Sequence, residues 1–232
     1  MKKLAVIITL AAAVGTSFGQ GFVNFVNGAA SNISTNDTVD VYGVAYSGPG
    51  ANAGSQTGLQ GTSGALPQGF YYALLMQPYA GGATNNPTAS TVLSGGWLYT
   101  GAGATNALGA GRLGGGGTAA TTQNDGVGSG NQFIVVGWSS NVATNGLAGW
   151  LTISNSLASG TWSTLNGGIG YFGVSMVGTG VGQPNTSPEQ LFGGATGIQS
   201  GFTLFAVPVP EPSTLALAGL GGLSLLLFRR RK

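Results

Sequence analysis

The sequence predicts an all-β body, an antiparallel β-sandwich or jelly roll, on three observations. Short runs of β-branched and aromatic residues recur between clusters of Gly, Asn and Pro, which is the strand signature. Glycine supplies 45 of the 232 residues, far above the usual share of about 7%, and it clusters without a collagen period, as turns and connections require. No internal segment combines a helical apolar period with capping residues. Short strands joined by glycine-rich connections bury one face each when two sheets pack together.

The first element along the chain is not part of that body. Met1-Lys2-Lys3, the apolar run Leu4 to Val14 and the small-residue stretch Gly15-Thr16-Ser17-Phe18-Gly19 have the three regions of a secretory signal peptide. An apolar run of about 11 residues is too short for the ~20 a membrane span needs. The segment 1–19 therefore reads as a signal helix removed by signal peptidase between Gly19 and Gln20, with a cut one residue later as the alternative.

The expected strands follow in order: Gly21–Val26, Thr38–Tyr46, Phe70–Met76, Trp97–Thr100, Gln132–Trp138, Gly149–Ile153, Tyr171–Val177 and Phe202–Val207. Each is rich in Val, Ile, Phe, Tyr or Trp and bounded by turn residues; in Phe133–Trp138 the large side chains are what fills a sandwich. The stretches 47–66 and 101–131 are expected as long mobile loops. The second contains Gly114–Gly117, which reads as a flexible hairpin or loop, because no Gly-Lys-Ser/Thr follows to make a phosphate cradle.

Composition removes several function classes. Cys and His are absent, so disulfides, thiolate nucleophiles, imidazole bases and the usual zinc ligands are absent with them. Between residues 20 and 207 Arg112 is the only basic side chain against Asp37, Asp40, Asp125 and Glu189. That body offers no cationic track for phosphates, and no nucleic-acid partner is expected. An enzyme is not expected either. Asp37 and Asp40 stand three apart, which on a strand points them to opposite faces, Asp37 itself reading as part of the preceding Asn-rich turn, and no serine has a His or Lys base. No cofactor and no metal are expected: Asn124-Asp125-Gly126 and Asn36-Asp37 read as Asx turns rather than calcium loops. Asn32-Ile33-Ser34, Asn36-Asp37-Thr38 and Asn185-Thr186-Ser187 match the glycosylation pattern but read as solvated turns. Trp97, Tyr99, Trp138, Trp150 and Trp162 read first as core; exposed on one face they would instead form a platform for sugar rings.

The C-terminal stretch has its own logic. Val209-Pro210-Glu211-Pro212-Ser213-Thr214 precedes an apolar run, Leu215–Phe228, and a basic end, Arg229-Arg230-Arg231-Lys232. The two prolines hold Val209 and Glu211 extended and accessible, and Ser213 or Thr214 caps the helix that follows. The apolar run of about 14 residues makes about 21 Å of helix against a hydrocarbon core of about 30 Å, so it spans only with bilayer thinning and snorkelling. Arg229, Arg230, Arg231 and Lys232 then act as a positive-inside stop on the cytoplasmic side. A permanent anchor is the rival reading, and the short length argues against it. Leu66-Pro67-Gln68-Gly69 lacks the Thr of a gram-positive sortase signal and lies far upstream.

The ordered combination in Val209–Lys232 resembles the PEP-CTERM sorting signal of Gram-negative and related bacteria. The resemblance implies that an exosortase, a membrane-embedded cysteine peptidase, recognises Pro210, Glu211 and Pro212 and processes the tail, and that the protein's destination is the cell envelope, surface or extracellular matrix. The fragments "GFVNFVN", "YYALLMQP", "GRLGGGG", "FIVVGWSS" and "FTLFAVPVPEPST" are similar to ectodomains of PEP-CTERM proteins from Verrucomicrobia and related environmental bacteria. The expected organisation is a signal peptide over 1–19, a glycine-rich ectodomain over 20–207 and a sorting signal over 208–232 with a transmembrane helix at 215–228. The expected role is an exported, non-enzymatic surface or matrix protein, transiently held in the inner membrane by its C-terminal helix; the alternative is a lectin-like module that engages exopolysaccharide.

Overall fold

The computed structural model describes residues 22–28, 31–39, 69–79, 81–107, 111–120, 130–165, 170–181 and 188–207. The expected signal segment, the loop 47–66 and the whole of 208–232 lie outside them. The described residues form ten strands and one helix: β1 Phe22–Val26, β2 Ser34–Val39, β3 Phe70–Pro78, β4 Leu98–Asn106, β5 Leu113–Ala120, β6 Gly130–Ser139, α1 Gly146–Ser159, β7 Tyr171–Val174, β8 Gly178–Val181, β9 Glu189–Gln190 and β10 Thr203–Ala206.

All ten strands belong to one sheet, ordered β2-β10-β7-β6-β3-β4-β5-β1-β9, with β8 paired to β6 beside β7. The all-β expectation holds at that level; the sheet is single and curled into a half-barrel where two packed sheets were expected. Nor is it wholly antiparallel, because β10 runs parallel to β2 and β1 runs parallel to β9. The curl is visible in one hydrogen bond. Six strand spacings of about 4.8 Å would hold β2 and β5 roughly 29 Å apart in a flat sheet, yet the Ile33 N–H just before β2 donates to Gly111 O just before β5 at 2.7 Å. Gly111 is required there: its φ is +72° and a Cβ would stand 2.9 Å from Asn32 Cβ and 3.0 Å from Ile33 O.

Both faces of the central strands are buried, which explains their near-continuous apolar sequences. On β3, Phe70, Tyr72, Leu74 and Met76 join one cluster with Phe133 and Val135 of β6. The alternate residues Ala73, Leu75, Ile134, Val136 and Trp138 join a second. The first cluster draws on β1, β5, β7 and β10 as well and fills the curl. The second is closed over by α1 through Trp150 and Ile153, and by Val92 and Trp162.

The helix corrects an expectation: Gly149–Ile153, expected as a strand, lies inside α1. Its caps are present in the sequence: Asn145 accepts from Gly146 N–H at 2.8 Å, and Gly160 ends the helix at φ 67°. Trp150, Ile153 and Leu157 supply the helical spacing that packs on the sheet. The segment 101–131 is also corrected, because β4 runs to Asn106 and Gly114–Gly117 lie inside β5. Asp37 falls within β2 rather than in a turn before it.

Polar side chains mend the ladder where it breaks. Ser175, between β7 and β8, accepts from Val135 N–H at 2.9 Å through Oγ and donates to Met176 O at 2.8 Å. Asn27 fastens the curl: Nδ2 donates to Ser31 O at 2.7 Å and Gly111 O at 3.0 Å, and Oδ1 accepts from Leu113 N–H at 2.7 Å. Asn27 is 2% exposed, so Asn27→Ala orphans buried groups at roughly 1–3 kcal/mol each. The expected result is a clear fall in the urea midpoint; a midpoint unchanged from the parent would show that the closure does not depend on this amide.

Candidate functional site: an amide-lined groove beside Trp97

The edge of the second cluster opens into a groove of about 400 Å³, lined by Gln77, Asn85, Asn86, Trp97 and Gln132 together with the turn 91–95. Register builds its floor. Gln77 and Gln132 stand directly opposite on β3 and β6, which puts their side chains on one face, and Gln77 Nε2 donates to Gln132 Oε1 at 3.2 Å. The bond uses one group of each amide and leaves each the complementary one, Gln77 Oε1 as acceptor and Gln132 Nε2 as donor.

The wall is the segment 81–97, held by its own hydrogen bonds. Thr88 and Thr91 bond reciprocally, with Thr88 N–H to Thr91 Oγ1 at 2.8 Å and Thr91 N–H to Thr88 O at 3.1 Å. Val92, 1% exposed, plugs the turn into the second cluster. Asn86 Oδ1 accepts from Val177 N–H at 2.8 Å; a backbone donor there leaves Asn86 Nδ2 as the group available for a ligand. Gly95 lets the turn lie against the indole, since a Cβ would meet Trp97 Nε1 at 2.6 Å.

Among the described residues, no lining side chain is ionisable. Trp97 is half-buried and packs against the second cluster. Burial pushes the phenol of Tyr99, two residues on, above its usual range. The groove therefore presents neutral donors and acceptors beside one aromatic ring.

The residues singled out from the sequence are scattered. Trp138, Trp150 and Trp162 are 0%, 7% and 3% exposed, so they make no exposed aromatic row; Trp162 packs instead on Phe172, with ring centroids 5.6 Å apart. Asn32 of the first glycosylation triplet has a buried Oδ1 with no partner, unlike a solvated turn. The second triplet lies in β2 and the third outside the described residues. Of the four acids, Glu189 alone has a described side chain, its Oε2 lying 3.0 Å from where a Gly180 Cβ would stand. Among the described residues no three His, Cys, Asp or Glu side chains gather. Sequence reasoning missed the groove because Gln77 and Gln132 are 55 residues apart and only strand register brings them together.

The other functional element is the tail, and its start is sharply placed. Val207 is 7% exposed and belongs to the second cluster, and its N–H donates to Gly170 O at 2.9 Å. From the next residue onward, 208–232 match the family model of the PEP-CTERM protein-sorting motif. The chain carries a PEP-CTERM sorting tail. No curated protein and no solved structure matches the chain. The PEP-CTERM tail implies export and sorting by an exosortase to the cell envelope or surface. Its residues Val209 to Thr214, the run 215–228 and the basic end 229–232 lie outside the described residues, as do Gly19 and Gln20. Among the described residues no helix is long and apolar enough to cross a membrane.

Proposed function

We propose that this chain is an exported, non-enzymatic component of the cell surface or extracellular matrix, whose curled sheet is displayed through its PEP-CTERM tail. The match of 208–232 to the sorting motif carries the reading. In it, residues 1–19 are a signal peptide cut by signal peptidase between Gly19 and Gln20. Residues 20–207 are the displayed body, and Val209–Thr214 present Pro210-Glu211-Pro212 to the exosortase. Leu215–Phe228 cross the inner membrane, with Arg229–Lys232 on the cytoplasmic side. The burial of Val207 supports processing downstream of it, because a cut further upstream would strip β10 from the core. A weakly charged body with no His or Lys between residues 20 and 207 supports a scaffold role over catalysis.

Intact mass of envelope material tests both ends. The expected mature species begins at or near Gln20 and lacks the residues from the Pro-Glu-Pro region onward when an exosortase is present, and keeps them when it is absent. A species beginning at Met1 would end the export reading, and recovery of Lys232 on the mature surface protein would replace processing by a permanent anchor. Glu211→Ala removes the carboxylate held between two rigid prolines. It should leave the tail uncut, with stability unchanged within about 0.5 kcal/mol, as expected for a substitution in the sorting tail rather than in the body's core. Normal processing of that variant would remove Pro210-Glu211-Pro212 from the recognition role.

A further inference from the structure

We infer that the groove beside Trp97 is a binding site for neutral saccharide units, with Gln77, Gln132, Asn85 and Asn86 reading hydroxyl groups and the indole of Trp97 covering the apolar C–H surface of a sugar ring. The inference concerns the body alone and does not depend on how the tail is processed.

Four observations select this ligand class. Among the described residues, the lining holds no cation and no carboxylate, so a phosphate, sulfate or uronate would leave water without a counter-charge. A neutral ligand has no such cost. Its hydroxyls must each donate and accept, and the groove offers both: Gln77 Oε1 accepts, while Gln132 Nε2 and Asn86 Nδ2 donate. A pyranose also has an apolar face, and Trp97 supplies an aromatic surface whose ring prefers such contact. The volume of about 400 Å³ lies within the range of small-molecule sites, ~300–1,000 Å³, and accepts a monosaccharide or disaccharide unit.

The site is also pre-organised, which matters because a few neutral hydrogen bonds do not offset the ordering of a loose loop. Val92 anchors the turn from beneath, the Thr88–Thr91 bonds hold its start, and Asn86 ties the segment to Val177 at the approach to β8. Gly95 and Gly96, the latter at φ +74°, let the turn close on Trp97 and on Gln77, whose Oε1 lies 3.9 Å from where a Gly96 Cβ would stand. Gln77, Gln132 and Asn86 are therefore held in place before any ligand arrives.

Tryptophan fluorescence provides the test, because the other three tryptophans are buried and a ligand in the groove perturbs Trp97 alone. The full chain, in a detergent without a sugar headgroup, is titrated with a panel of neutral oligosaccharides (glucans, mannans, galactans) and, in parallel, with uronate-containing oligosaccharides and a mixed peptide pool. At least one neutral saccharide should give a saturable fluorescence change. Gln77→Met and Asn85→Ala should weaken that binding roughly tenfold or more while melting like the parent. Trp97→Phe should abolish the signal but retain measurable binding by calorimetry. The assignment is overturned if no neutral saccharide gives a saturable change, if binding is confined to uronates or peptides, or if Gln77→Met and Asn85→Ala bind with the parent's affinity.

Discussion

Trp138→Ala is expected to destabilise the body by about 3–5 kcal/mol, the range for deleting a large buried aromatic side chain. Trp138 is 0% exposed and sits where β6 meets the helix; its Nε1–H donates to Thr144 O at 3.1 Å. Gly149 of α1 rests against the indole so closely that a Cβ there would stand 3.1 Å from Trp138 Cζ2 and would overlap the Thr144 carbonyl. Removing the ring leaves a cavity under the helix and a carbonyl without its donor, and neither loss is compensated by a small shift. Domains of ordinary stability hold only 5–15 kcal/mol in total, so the urea midpoint should fall by a large fraction with little change in m-value. A shift of less than about 1 kcal/mol would mean that α1 does not depend on this side chain, and that the second cluster is organised from elsewhere.

On the proposed sorting route, Leu220→Asp should abolish membrane insertion of the tail and, with it, cutting of the tail. An acid near the centre of a spanning helix costs about 2.5–3.5 kcal/mol, which is roughly two orders of magnitude in the inserted population. The run Leu215–Phe228 has little margin, being short against a ~30 Å hydrocarbon core. The expected product is a chain that has lost its signal segment but keeps its tail, released from the membrane fraction with Lys232 intact. This failure differs from that of Glu211→Ala, which should remain membrane-held and uncut. Fractionation followed by intact mass separates the two. If the Leu220 variant is still cut and displayed, insertion of 215–228 is not a step in sorting.

Much of the outline is legible in the chain because it is written in local patterns. The strands around Phe70–Met76 and Gln132–Trp138 stand out by β-branched and aromatic content, and β3 and β6 contain them. The tail is legible because rigid prolines, an apolar run and a basic end act through their order along the chain, and 208–232 match the sorting motif accordingly. The helix was legible in principle, through Asn145, the Trp150–Ile153–Leu157 spacing and Gly160, but its β-branched and aromatic residues compete with that signal in a short window.

Pairing across the chain could not be read in the same way. The segment Leu113–Ala120 has almost no side-chain preference for a strand, yet β5 forms because β1 and β4 offer backbone partners on either side. Propensity measures a side chain's fit to neighbours, and those neighbours come from residues 22–26 and 98–106. The choice between two sheets and one curled sheet is decided likewise, by contacts such as Ile33 with Gly111 and by Asn27 bridging Ser31, Gly111 and Leu113. The fate of the tryptophans is a further case: sequence shows that they are large and amphipathic, while only the packing of α1 on the sheet decides that Trp138 and Trp150 are core, and only the arrival of the segment 83–97 beside Gln77 and Gln132 leaves Trp97 bordering a groove. The sequence by itself determined strand-forming capacity, charge and the sorting tail, because these follow from each residue and its near neighbours. The tertiary structure alone decided closure, burial and the groove, because a hydrogen bond or a buried ring depends on which distant segment arrives beside it.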